Sequence, residues 1–186
     1  FIAAAVCGTV GIFVPEILGI GAEVVNDLMQ GIYSANYVGL ILLLKLFLTS
    51  LCIGFGLFGG VFSPALFIGV SAGILVTALL EVLIGANLGQ VMMIAGMAAI
   101  SASVVGAPIS VIIIVLELTG SYEYAVSAMV AVIVSSLVTH RIFGLSYFDR
   151  QLKDRGIDMS LGREDIQLSR TYLKDHISDA FLAVES

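Results

Sequence analysis

Apolar residues run along this chain in long blocks, interrupted by glycine, proline and a few acidic residues. Residues 1–14 are apolar and close on Gly11-Ile12-Phe13-Val14-Pro15. A mixed stretch over 16–37 carries Glu23, Asp27 and several glycines. Residues 38–58 form an apolar run long enough to cross a bilayer, which takes about 20 residues in a helix. The pattern predicts another apolar helix over 65–80, ending at Glu81. The run 91–105 is shorter and rich in Ala, Met and Ser, and Gly106-Ala107-Pro108 restarts the chain into 109–118. Residues 117–123 read as an acidic loop, and 124–139 as the last apolar segment before His140-Arg141.

The runs at 91–105 and 109–118 are too short for a straight span. Interrupted as they are by Gly and Pro, they point to broken or re-entrant helices whose ends lie inside the protein. Pro15, Pro64 and Pro108, the three prolines of the chain, all fall at interruptions. Helix-start prolines give that placement and scattered kinks do not. The frequent Ser and Gly within the runs suit close helix packing in lipid.

Composition agrees with this membrane reading. Of 186 residues, 59% are hydrophobic and 12% charged, against roughly 25% charged in soluble domains; the mean hydropathy is +1.10. The net charge of −6 gives no support for nucleic-acid binding, which wants a basic face. Arg141, Arg150, Lys153 and Arg155 cluster after the last apolar run, which predicts a cytoplasmic C-terminal side in a multi-pass cell-membrane protein. A short amphipathic helix is expected over 146–156, capped by Ser146, with a soluble linker beyond. Phe1 lies inside an apolar stretch with no basic leader before it, so the chain reads as part of a longer protein.

The most informative stretch is Gly59-Gly60-Val61-Phe62-Ser63-Pro64-Ala65-Leu66-Phe67-Ile68-Gly69. Glycines without a Cβ let the backbone turn and lie close to a ligand. Ser63 suits an N-cap and Pro64 the first helical position. A helix starting here, between two apolar runs, would place free N–H groups and a positive dipole end at membrane depth, which is an anion site. A glycine-rich loop capping an ordinary helix is the competing reading.

Other chemistry is sparse. Lys45 is the one basic residue deep in a spanning run; intramembrane charge is costly and often functional, but snorkelling or pairing with a helix end also accounts for it. Glu81, Glu117 and Glu123 fall at run ends, within reach of water. Cys7 and Cys52 both lie in apolar runs and read as buried, inert thiols rather than a disulfide or ligand pair. A membrane zinc protease would want His-Glu-x-x-His, and His140 and His176 do not supply it. No His is placed to activate a serine, so an enzyme is not expected. A carrier of another anion or organic substrate also uses broken helices and stays open.

Several motifs together resemble one family. Gly59-Gly60-Val61-Phe62-Ser63-Pro64 resembles the GGxFxP signature of the CLC chloride channels and chloride/proton exchangers. Lys45 to Ser50 and Cys52-Ile53-Gly54 precede it in the family's order. Ala95-Gly96-Met97-Ala98-Ala99, then Gly106-Ala107-Pro108-Ile109 with Val115-Leu116-Glu117-Leu118-Thr119-Gly120, are similar to two further segments. Residues 146–156, beginning Ser146-Tyr147-Phe148-Asp149-Arg150, resemble the SIYDxxLxxRG stretch that opens the family's last helix.

The resemblance implies an all-α fold made of two inverted repeats, with this chain as the second, and a homodimer with one pore per subunit. Part of the dimer contact would fall on 109–118 and 124–139. It implies chloride as the transported ligand, held by the amides of Val61 and Phe62. The family's chloride-coordinating tyrosine aligns with Phe148, whose ring has no O–H to donate, while Tyr147 falls one position earlier; either could face the ion. The family's filter serine and its gating and proton glutamates belong to its first half, so channel and exchanger both stand. No metal is implied. Residues 163–177 look like the approach to a CBS pair, a cytoplasmic module that binds nucleotide, itself absent from these residues.

Overall fold

The computed structural model describes residues 2–19, 21–57, 59–85 and 88–154. These residues form helices and connecting turns with no strand among them. Helix α1 (Ile2–Phe13) leads into a 3-10 turn (Pro15–Ile17), then α2 (Ala22–Met29), α3 (Ala35–Gly54), α4 (Phe62–Ile84), α5 (Gly89–Val105), α6 (Pro108–Thr119), α7 (Tyr122–Phe143) and α8 (Tyr147–Asp154). Three of them, beginning at Ala35, Phe62 and Tyr122, are long and apolar enough to cross a membrane. The chain divides into two compact units, 1–147 and 148–186.

The expected break between short helices is present. Helix α5 stops at Gly106, which adopts a left-handed φ of 73° and donates its N–H to Ala102 O at 2.9 Å. That conformation is open to glycine at little cost. Pro108 then opens α6 at its first position, where its missing N–H removes no helical bond. The resulting helices, of 17 and 12 residues, meet at the break as two pieces.

Other expectations need correction. The mixed stretch 16–37 contains α2, a helix of eight residues. The acidic stretch 117–123 is not a loop: α6 runs to Thr119 and α7 starts at Tyr122, so only Gly120 and Ser121 connect them. Glu117 and Glu123 sit on helices and are exposed, as is Glu81. The expected helix over 146–156 is seen as Tyr147–Asp154; residues 155 and 156 lie outside the described residues, as does the stretch 163–177.

Packing centres on α4 against α5, with α7 also against α5 and α6 beside α7. Phe67 and Val70 of α4, Ile94 and Ala98 of α5, Val111 of α6 and Val132 of α7 are buried together. The α4–α5 seam is a contact of backbones. A Cβ at Gly69 would fall 2.5 Å from Met97 Cα and 2.6 Å from Gly96 O. One turn on, a Cβ at Gly73 would run into the Met92 carbonyl, and one at Gly96 into the Gly69 carbonyl. Small residues four apart permit this approach, which supplies dispersion contact where lipid leaves little hydrophobic drive between helices. Helix α7 is tied to α5 by Ser135 Oγ donating to Ala99 O at 2.9 Å and Tyr124 Oη to Gln90 Oε1 at 2.6 Å.

Large apolar side chains also face outward, among them Leu43 of α3, Leu79 of α4 and Ile133 of α7, each more than half exposed. Helices apolar on every face belong in a bilayer or inside a larger assembly.

Candidate functional site

The first turn of α4 and the space beside it form the candidate site. Helix α3 ends at Gly54 with Phe55 as its C-cap, and the chain turns through Gly56, at φ 76°, with Leu57 N–H returning to Cys52 O at 2.9 Å. It then enters α4 through 59–61. The N-cap is Val61, at φ −81° and ψ −20°, and its carbonyl accepts the Ala65 N–H at 3.2 Å.

Ser63 is therefore not the N-cap, and Pro64 is the third helical residue rather than the first. Val61 already has near-helical dihedrals, so the helix starts upstream of the serine. Pro64 is accommodated because the N–H groups of a first turn have no helical acceptor in any case. The amides of Val61 and Phe62 precede the first i→i−4 bond of α4 and stand at the positive end of its dipole.

Gly59 and Gly60 are exposed, neither has a left-handed φ, and a Cβ on either would meet nothing within 4 Å. Within the chain itself there is thus room for a side chain at both positions.

Gly59, Gly60, Val61 and Pro64 border a cavity of about 270 Å³. Its other walls include Lys45, Leu48, Thr49 and Cys52 of α3, Cys7 of α1, and residues 17–19. Lys45, Thr49 and Cys52 are spaced to share one face of α3. Phe62 and Ser63 are half-buried and lie outside this lining. Tyr147 and Phe148 occupy the first turn of α8, each half-buried, and the division between the two compact units falls between them.

Lys45 is only 4% exposed. Its Nζ donates to Ile17 O at 2.7 Å and Gly19 O at 3.3 Å, and lies 5.2 Å from the centre of the Phe67 ring. The ammonium thus pairs with carbonyls at the end of the 3-10 turn, one of the two roles open to it from the sequence. Carbonyl dipoles and a ring face stabilise the charge without neutralising it. No local pattern in the sequence places this lysine in a cavity with the glycine motif, since the two are joined only through the turn after α3.

The cysteines also differ from expectation. Cys7 and Cys52 are free but only half-buried, and their Sγ atoms lie 3.4 Å apart. Among the described residues no cluster of three or more His, Cys, Asp or Glu gathers to hold a metal.

The family model described as voltage gated chloride channel matches residues 1–140. The chain belongs to the CLC family. Its relatives include a putative chloride channel protein ClcB-like of Ralstonia nicotianae, 34% identical over 149 residues, 79% of this chain and 35% of that protein. The H(+)/Cl(-) exchange transporters ClcA of Vibrio parahaemolyticus and Vibrio campbellii are each 31% identical, over 75% and 80% of this chain. The match covers 30% and 33% of those two proteins. The chain thus spans about a third of the length of the curated relatives it matches. The all-helical arrangement with broken helices accords with a CLC membrane domain. The matched region holds the whole cavity and the start of α4 but ends before Tyr147 and Phe148.

Proposed function

We propose that this chain supplies the second half of a CLC membrane domain and helps carry chloride across a bilayer. The observation that carries the reading is the start of α4: an apolar-flanked helix N-terminus whose Val61 borders a cavity that also holds a buried ammonium. A dehydrated anion in hydrocarbon is prohibitively costly, so its path must offer N–H dipoles without a bare positive charge that traps it. The amides of Val61 and Phe62 suit that role. Lys45, masked by two carbonyls, adds positive potential while its own hydrogen bonds hold it back from the ion. The family resemblance also nominates Tyr147 or Phe148, at the α8 start, as a chloride contact.

The names of the relatives support chloride as the ligand and include both a channel and exchangers. Transport rather than catalysis is the activity, in an integral membrane protein with its C-terminus in the cytoplasm. A homodimer, and a nucleotide at a CBS pair beyond these residues, belong to the same reading.

Radioactive chloride uptake into liposomes carrying the full-length protein tests it. Uptake driven by a chloride gradient is expected. Its absence, with the protein folded and inserted, overturns the reading. Proton movement accompanying that uptake marks an exchanger, and its absence a channel.

A further inference from the structure

We propose that Cys7 and Cys52 form a two-electron redox site, closing to a disulfide that pins α1 to α3 beside the cavity. The two residues lie 45 positions apart on different helices, yet their Sγ atoms stand at 3.4 Å. A disulfide has S–S near 2.05 Å, so about 1.4 Å must be closed, shared between two side chains. Both thiols border the cavity and are half-buried, so a small reagent reaching that space meets both. They are the only cysteines in the sequence, so any bridge within this chain is this one.

The oxidant class is a peroxide, small and neutral enough to enter an apolar cavity. One sulfur, as thiolate, attacks the peroxide O–O bond, giving a sulfenic acid and releasing hydroxide, which takes up the thiol proton as water. The second sulfur then attacks the sulfenic sulfur, the S–O bond breaks, and a second water leaves with the second proton. Two thiols and one hydrogen peroxide become one disulfide and two waters: the sulfur pair loses two electrons and the peroxide gains them. Because the resolving thiol is already in contact, the second step is intramolecular and outruns further oxidation of the sulfenic acid.

The bridge would change more than the sulfurs. Cys7 and Cys52 share a cavity with Gly59, Gly60 and Val61, so joining them fixes the wall facing the start of α4. The effect on transport rests on the proposed chloride path; the bridge itself does not.

The test uses the full-length protein in liposomes, treated with hydrogen peroxide, alkylated with N-ethylmaleimide and digested. Mass spectrometry is expected to show a peptide pair joined through Cys7 and Cys52, lighter by two hydrogens and separated by dithiothreitol. Chloride uptake is expected to be at least halved by peroxide and restored by dithiothreitol. In Cys7→Ser and, separately, Cys52→Ser, no joined pair forms and uptake becomes insensitive to peroxide. Thiols that stay alkylatable, or that proceed to sulfinic acid unjoined, overturn the proposal. A joined pair with unchanged uptake overturns its link to transport. Failure of the transport reading itself is told apart, because it removes uptake before any peroxide is added.

Discussion

Lys45 reaches across from the middle of α3 to donate a 2.7 Å hydrogen bond to the backbone carbonyl of Ile17. The bond joins residues 28 positions apart and fixes the turn after α1 against the spanning helix. Its charge makes it stronger than a neutral pair, and its burial makes it costly to lose.

Lys45→Met is therefore expected to destabilise the protein. It leaves the carbonyls of Ile17 and Gly19 short of a donor and removes the ammonium from the Phe67 ring. The expected cost is about 1–3 kcal/mol, the range for buried groups left unsatisfied, lessened by no longer burying a charge. Thermal melting of purified protein in detergent reads it; an unchanged midpoint would mean that the turn is held by other contacts.

Gly73→Ala tests the α4–α5 seam. The added methyl would meet the Met92 carbonyl and lie 2.6 Å from Met93 Cα, neither being the yielding end of a side chain. A cost of about 1–3 kcal/mol is expected from overpacking. Gly59→Ala is the matched control, because a Cβ there meets nothing within 4 Å. Equal melting temperatures for the two variants would refute the seam as a close-packed joint.

Gly60→Val separates ion binding from folding. The structure has room for a Cβ at this position, so folding and detergent stability should be preserved. If chloride approaches the Val61 and Phe62 amides, the isopropyl group obstructs it or turns an amide aside. Chloride affinity by calorimetry should then fall by about 1–3 kcal/mol, the worth of a buried polar group losing its partner. Retained wild-type affinity in a folded variant would place the ion elsewhere.

Phe148→Tyr addresses the start of α8. Restoring a phenolic O–H at the position aligned with the family's tyrosine should tighten chloride by ~0.5–1.5 kcal/mol, one neutral hydrogen bond's net worth. No change in Phe148→Tyr together with a loss in Tyr147→Phe would assign the contact to Tyr147.

Much of the chain's course was legible because its punctuation is local. Gly106 and Pro108 break α5 from α6 through their own backbone chemistry, and no distant residue needs to be known. Helix α2 escaped because Val24, Val25 and Leu28 are interleaved with Glu23, Asn26 and Asp27. A search for apolar blocks passes over that pattern, although Leu28 ends fully buried. Glu117 and Glu123 suggested a loop, but charge marks exposure, not a chain break, and both sit on the outer faces of helices. In the candidate site, the α4 start was visible from its glycines and proline to within two residues. The cavity was not, since it depends on Cys7, Ile17 and Lys45 meeting across turns whose direction no local pattern specifies.

The glycine seam has a mechanical consequence. For α4 to slide along α5 by one turn, Ala65 or Thr77 would have to enter a notch now filled by glycine, and each brings a Cβ where only backbone fits. Axial travel is therefore blocked, and the first turn of α4 keeps a fixed height against α5. Spin labels on the two helices would report one distance with and without chloride. Across the cavity from that backbone seam, α1, the 3-10 turn and α3 are joined instead through side chains, Lys45 on two carbonyls and the Cys7–Cys52 pair, so one wall is set by main chain and the other by side chains.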